Sequence, residues 1–391
     1  LKYVTIEKTA SPEDLLSFFA AVNDESKTST KIPLGEQLGK LGVKTIHVVE
    51  SDPEDSSKSG KGRRKTLFDW YQKVVGVIGG VHDQIFASKK ADLKTVYHVA
   101  DDMMATIRTK GVEPFLLLPL IAGGEDPHTE HCVNTAILCG GLSELAGLNS
   151  GQVQTLVVAA LLHDLGRKII PSEWAKEKSS LNLFERAVVH QHTAWGFLLL
   201  TRDAEIPTPI SLLAAHHHSS PVAGAKDGGY LPDLLHKMLS VADEYDRAAF
   251  SDRVYWKRQP PHRKLLSMLR GRGKRFDPQI VKLLVQLVGL YPVGSLVRLD
   301  DGRRGVVVRS DNPHVGRPRV YLFEEDTPVP AGAAEDATIE IPPPVMCDLM
   351  QTDDRDLSFP HSLAGISDPP EGFRLSSVLA PKLEHFLGSK L

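Results

Sequence analysis

The residues best suited to chemistry in this chain are histidines and aspartates set at the ends of apolar helical runs. His163-Asp164 closes one such run, AALLHDLGR. Neighbours in sequence cannot share a helical face in the i, i+4 manner. They can still bracket one ion where the helix ends and the chain turns at Gly166. Charge buried at the end of an apolar run is costly unless it is paired or coordinates a metal. Asp243 closes a second run, Leu239 to Ala242. His131 precedes the apolar pattern Val133 to Leu145, and His192 lies in a helical pattern followed by Gly196. His216-His217-His218 ends the run Ile210 to Ala215, and from the residues alone either His216 or His217 could be the ligand. Imidazole and carboxylate donors without thiolates suit Fe, Mn, Zn or Ni. A carboxylate such as Asp164 can bridge two ions ~3.5–4 Å apart, which would create a hydroxide nucleophile and clamp phosphoryl oxygens.

One His-Asp pair means little in a chain with 16 histidines. The joint spacing carries the weight. His47, His82, His98, His236, His262, His314, His361 and His385 read as structural or surface residues. His128 and His190 fall close enough to support the ligands.

The elements that must position this set read as helices. Two helical segments cover 66–110, broken near Ser88-Lys89-Lys90, and helices continue through 112–290 without an alternating strand pattern. Gln152 to Leu162 follows an Asn149-Ser150-Gly151 start, and Leu183 to Leu200 reads as one helix. Before them, 1–60 reads as a small α/β segment with a helix after Ser11-Pro12 and a strand over Val43 to Val49. Ser51 to Arg64 is polar and reads as a linker. After Tyr291-Pro292 the character changes. Gly294 to Arg309 forms two β-rich runs around Asp301-Gly302, a hairpin signal, with further strands expected at Val320 to Phe323 and Thr338 to Ile341. The expected organisation is therefore 1–60, a helical connector 61–110, a metal-binding helical domain 111–292, a β appendage 293–345, and a tail 346–391 with a short helix near Leu379 to Leu387. The fold class is mainly α.

Composition sets limits. Hydrophobic residues make up 41% and charged residues 24%, enough for a sizeable core. A net charge of -3 gives no broad basic field for duplex nucleic acid or an anionic membrane. No apolar run reaches the length of a membrane span, and no signal peptide is read. Cys132 and Cys139 lie seven apart in one apolar pattern, which predicts buried reduced thiols and a cytoplasmic location. The helices at 66–110 could support a homodimer, although core packing explains their apolar residues equally well.

Taken together, the spacings resemble the HD superfamily, and within it the HD-GYP branch. The branch pattern of a His, then HD-x-G-K, a His four before a Gly, a double His and V-A-D-x-x-D appears here in order. It reads His131, His163-Asp164-Leu165-Gly166-Arg167, His192 with Gly196, His216-His217, and Val241-Ala242-Asp243-Glu244-Tyr245-Asp246. The intervals are 32, 29, 24 and 27 residues. Ser251 to Tyr255 is similar to the basic-aromatic element of the family, and the likeness covers roughly 110–325. There are departures. Arg167 stands for Lys, and Pro127 stands where some members carry a Glu for a third metal. The Glu and the Gly-Tyr-Pro after the double His are missing in register, and Gly229-Tyr230-Leu231-Pro232 comes about six residues late.

The resemblance implies a helical HD bundle binding two divalent transition metals through His131, His163, Asp164, His192, His216, His217 and Asp243. It implies hydrolysis of a cyclic dinucleotide, most often cyclic di-GMP, by metal-hydroxide attack on phosphorus in bacterial signalling. Asp164 would bridge the metals, and Arg167, Arg253 and Tyr255 would contact substrate. Two other functions fit the departures: a degenerate signalling module that works through protein partners, and a phosphohydrolase for another nucleotide.

Overall fold

A computed structural model describes residues 3–6, 46–49, 53–87, 92–121, 126–171, 174, 182–203, 205–219, 233–250, 260–310, 316–323, 345–348 and 363–367. The chain divides into two units, residues 1–67 with 388–391, and residues 68–387. In the first unit, β1 (Tyr3–Ile6) pairs antiparallel with β2 (Ile46–Val49), Tyr3 opposite Val49 and Ile6 opposite Ile46. The strand expected over Val43 to Val49 is found at its second half. The helix expected after Ser11-Pro12 lies outside the described residues.

The stretch read as a linker is helical from Pro53, at the start of α1 (Pro53–Phe86). Polarity had suggested a linker. Yet Pro at the first helical position, followed by Glu54 and Asp55, is a favourable helix start. An apolar face appears only from Leu67 onward, where Leu67, Tyr71, Val74, Ile78, Val81 and Ile85 are buried.

Helices α2 (Leu93–Lys110), α3 (Glu113–Ile121), α4 (Pro127–Ala146) and α5 (Ser150–Leu162) follow. Their starts are written in the sequence. Asp126 caps α4 by accepting from the Thr129 amide, with Pro127 next. Asn149 and Gln152 form a reciprocal capping box at α5. Central α4 and α5 are buried on nearly all sides: every residue from Cys132 to Ser143, and from Leu156 to Leu162, is buried. A helix apolar all round belongs inside. Cys132 and Cys139 are free buried thiols, as expected, and burial pushes the Cys132 thiol up to about 12.

A short 3-10 turn, Leu165–Ile169, leads away from α5. The run Leu183 to Leu200 is two helices and not one, α6 (Leu183–His190) and α7 (His192–Thr201), broken at Gln191. Just beyond the break, Gly166 and Gly196 let the 3-10 turn and α7 approach backbone to backbone. The bundle continues with α8 (Thr208–His216), α9 (Leu234–Phe250), α10 (Pro261–Gly271) and α11 (Pro278–Val288).

The hairpin around Asp301-Gly302 is present as β3 (Leu296–Leu299) and β4 (Arg304–Arg309), with Gly302 at φ 91. β5 (Arg319–Phe323), β6 (Val345–Asp348) and β7 (Leu363–Ile366) complete an antiparallel sheet in the order β6-β5-β4-β3-β7. The strand expected at Thr338 to Ile341 and the helix near Leu379 to Leu387 lie outside the described residues. The sequence reading did not place β6 and β7, because four-residue strands such as VMCD and LAGI carry no alternation. Val297, Leu299, Val307, Val320 and Leu322 form the sheet's own core. Ser310 Oγ donates to the Val288 carbonyl at 2.9 Å, and Arg309 pairs with Glu113 at 3.0 Å, tying the sheet to α11 and α3. No helix among the described residues is long and apolar enough to cross a membrane.

Candidate metal centre

Five elements of the bundle converge on two buried carboxylates. Asp164 follows α5, Asp243 lies on α9, and each side chain is 1% exposed. His163 is the residue after α5, and His131 lies on the first turns of α4 rather than before that helix. His192 opens α7. His217 and His218 follow α8.

Three of the rings are aimed by one local device. His163, His192 and His217 each donate Nδ1–H to the carbonyl three residues back, Ala160 at 2.8 Å, Val189 at 2.6 Å and Ala214 at 2.7 Å. A helix end leaves those carbonyls unsatisfied. The bond fixes the ring and turns Nε2 inward, as in metal-ligating histidines generally. His131 is aimed differently: Nδ1 faces Asp246 Oδ2 at 2.6 Å, and Nε2 faces Asp243 Oδ1 at 3.0 Å. His163 Nε2 stands 3.3 Å from the same Asp243 oxygen. His192 and His217 Nε2 stand 3.1 and 3.5 Å from Asp164 Oδ1, and His218 Nδ1 is 3.5 Å from Asp243 Oδ2.

The two halves of the cluster differ in charge. Burial opposes a proton on His131 and His163, but Asp243 with Asp246 for the first, and Asp164 with Asp243 for the second, more than offset it and raise both rings. Burial pushes His217 down to about 4, and His163 adds to this; His218 is lowered by burial and by His217. At neutral pH both rings are therefore neutral, and His217, with its Nδ1–H on the Ala214 carbonyl, turns a lone pair inward. His217 faces Asp164 Oδ1 and His218 faces Asp243 Oδ2, two buried oxygens that accept no hydrogen bond among the described residues. A buried carboxylate oxygen facing an imidazole lone pair is costly without a cation between them. Against their burial, Asp164 is held well below the carboxylate range by Arg167 and Arg247, and Asp243 by Arg247, His131 and His163. The donor set fits a metal: Asp164 with His192, His217 and His218, His131 with His163 and Asp164, and His163 with His217 and Asp243 each bring donor atoms within 4.8 Å of one another.

His131, His163, Asp164, His192, His217 and Asp243 are thus brought together. His216 is not part of these groups: its Nδ1 lies 3.4 Å from Ser219 Oγ, and its carbonyl accepts from His236 Nε2. The double histidine of the cluster is His217-His218, one residue later than the family pattern suggested, and His218 had not been singled out. Helix α8 ends at His216, so the three rings point in different directions, which a helical wheel alone does not resolve. Arg167 Nε bonds Asp164 Oδ2 at 2.6 Å. Arg253, Tyr255 and the Gly229-to-Pro232 segment lie outside the described residues. Sequence reasoning also passed over Asp246 and Arg247, although Asp246 belongs to the quoted V-A-D-x-x-D pattern. His128, expected to support the ligands, places Nε2 at 3.0 Å from the Asp164 carbonyl.

Residues 129–248 match the family model of the HD domain. This segment is an HD domain. The HD domain has relatives among curated proteins that support the HD-GYP branch. The chain is similar to a cyclic di-GMP phosphodiesterase of Pseudomonas aeruginosa, 32% identical over 196 residues, 49% of this chain and 47% of the relative. It is also similar to a cyclic di-GMP phosphodiesterase of Borreliella burgdorferi, 25% identical over 205 residues, 50% of this chain and 52% of the relative. A 3'3'-cGAMP-specific phosphodiesterase of Vibrio cholerae is 26% identical over 168 residues, 40% of this chain and 30% of the relative. The chain spans about half the length, or less, of these relatives. Among solved structures, an HD-GYP-type protein of Bdellovibrio bacteriovorus matches with a TM-score of 0.45 at 15% identity, over 64% of this chain and 85% of that one.

Proposed function

We propose that the chain is a metal-dependent phosphodiesterase that hydrolyses a cyclic dinucleotide, with cyclic di-GMP the first substrate to test. One observation carries the reading: Asp164 belongs both to the group with His192, His217 and His218 and to the group with His131 and His163. A carboxylate shared between two ligand groups is the arrangement a two-metal phosphoryl site needs. The relatives' names support the substrate class.

Two divalent transition metal ions, with Fe or Mn the first candidates and Zn or Ni the next, fit the imidazole and carboxylate donors. When bound, they supply Lewis acidity, an activated water at neutral pH and charge neutralisation on the phosphodiester. The chain's own residues do the rest. His163, His192 and His217 are held by their Nδ1–H bonds to helix-end carbonyls. His131 is held by Asp246. Arg167, whose side chain is 14% exposed, sits on Asp164 and would turn its remaining N–H groups to a substrate phosphate. Arg253 and Tyr255 would add a second phosphate contact and a stacking surface.

The test is hydrolysis of cyclic di-GMP by the full chain loaded with Fe or Mn, alongside elemental analysis. Turnover that disappears in His163→Ala supports the reading. Intact substrate after long incubation with a loaded centre refutes it. A second reading, another cyclic dinucleotide or nucleotide as substrate, draws on Ser219-Ser220-Pro221 in place of the family's Glu and following motif. A panel including 3'3'-cGAMP separates the two. A loaded centre with no turnover on any member of the panel would favour the degenerate signalling module.

A further inference from the structure

Arg247 lies one turn beyond Asp243 on α9 and points back into the ligand cluster, its side chain 15% exposed. One terminal guanidinium nitrogen stands 2.5 Å from Asp243 Oδ1 and 3.4 Å from Asp164 Oδ2. His131 Nε2 faces these same two oxygens, at 3.0 and 3.7 Å. His163 Nε2 faces them too, at 3.3 and 4.0 Å. The opposite half is built on the other oxygen of each carboxylate. There His192 and His217 face Asp164 Oδ1, and His218 faces Asp243 Oδ2, and neither oxygen accepts a hydrogen bond among the described residues. One half of the centre thus carries built-in cations, Arg247 on both carboxylates and Arg167 on Asp164 Oδ2, and the other does not.

A guanidinium and a divalent ion cannot crowd onto the same carboxylate oxygens without strong repulsion in a water-poor site. Arg247 is held by charge and not by a full set of hydrogen bonds, with Asp243 and Asp164 favouring its cation against burial. Its Nε is buried and makes no hydrogen bond among the described residues. Its displacement costs the contacts of one terminal nitrogen with the two carboxylates, the same oxygens a divalent ion would occupy. By contrast, the rings of His192 and His217 are pinned by their own helix-end carbonyls.

We infer that Arg247 is a tethered cation that competes with a metal ion for the His131/His163 half of the centre. The chain then holds one metal tightly in the His192/His217/His218 half and a second only weakly. The inference rests on the metal-centre reading above and adds to it an unequal affinity in which Arg247, the cation that reaches both carboxylates, is the competitor. Arg247 acts here as a positioning and charge-balancing residue, and its effect is on metal uptake before any chemistry.

The test is calorimetric titration of the chelator-stripped full chain with Mn2+, with metal counted after desalting. The wild type should take up one tight equivalent and a second at least tenfold weaker. Arg247→Ala should take up two, the second tightened at least tenfold and the first unchanged. Arg247→Met, which keeps the volume without the charge, serves if the Ala variant does not fold, as read by circular dichroism. Arg247→Lys should stay close to wild type. Two equal equivalents in the wild type, or unchanged uptake in both neutral variants, overturns the inference and leaves the metal centre standing. Retention of the tight equivalent in His217→Ala overturns the assignment of the tight half. If no variant takes up Mn2+, the metal-centre reading itself fails, and the inference falls with it.

Discussion

Asp246 Oδ2 lies 2.6 Å from His131 Nδ1, joining residues 115 positions apart in the chain. Asn134 bonds the same carboxylate and accepts 2.9 Å from the Tyr71 hydroxyl, so a buried line runs from α1 to the His/Asp cluster. Carboxylates behind a ligating histidine orient the ring and raise its basicity. Asp246→Asn should therefore weaken metal binding at the His131 half by about 10–100-fold. Tyr71→Phe, one step further out, should do less. Metal titration of both variants checks the order.

His217 and His216 are adjacent, yet only His217 faces Asp164. His217→Ala should lower bound metal and abolish turnover. His216→Ala should leave metal content unchanged and cost only stability. Elemental analysis of the two variants side by side decides it, and equal loss in both would remove the one-residue shift of the double histidine.

Gly166 stands against His192: a Cβ on Gly166 would lie 1.9 Å from the His192 carbonyl oxygen and 2.5 Å from the Gly196 nitrogen. Backbone on both sides cannot yield as a flexible side chain would. Gly166→Ala should destabilise the fold by about 3 kcal/mol or more and displace His192 from Asp164. Denaturant unfolding gives the first effect, and metal affinity the second.

His82 is buried and donates Nε2–H to the Leu161 carbonyl at 2.8 Å, just before the ligand pair. Burial pushes it from 6.5 down to about 4. Its folded state thus binds the proton less readily than the unfolded chain. Its contribution is complete above about pH 6.5 and is lost as the pH falls toward 4, on the order of 3 kcal/mol at most. His82→Gln should flatten the acid limb of stability measured by denaturant unfolding between those pH values.

Metal should also stabilise the fold, because the donors converge only when α4, α5, α7, α8 and α9 are packed. At a free metal concentration a hundredfold above the dissociation constant, binding adds ~2.7 kcal/mol. Chelator should lower the melting temperature of the wild type, and much less that of His163→Ala. Identical melting curves with and without chelator would contradict a metal held by the folded state.

Much of this was legible in the residues because it depends on local pattern. The apolar runs ending in His163-Asp164 and Asp243, the capping residues Asp126 and Asn149, and the Asp301-Gly302 turn each announce their element within a few positions. The spacing of the histidines and aspartates pointed to a set of residues that the fold brings together. The break at Gln191 was not legible, because apolar residues at helical spacing run on through it from Leu183 to Leu200. The strands at Val345–Asp348 and Leu363–Ile366 were equally hidden, since their pairing partners are supplied by the sheet they join.

The sequence by itself determined that this chain has a helical His/Asp centre of the HD kind, because apolar periodicity and ligand spacing are properties of order along the chain. Only the tertiary structure decided that His217 and His218 face Asp164 and Asp243 while His216 turns away, that Asp246 backs His131, and that Arg247 lies across two carboxylates. Each of these depends on the direction of a side chain at a helix end or across a helix interface. Those directions are set by packing between helices far apart in sequence.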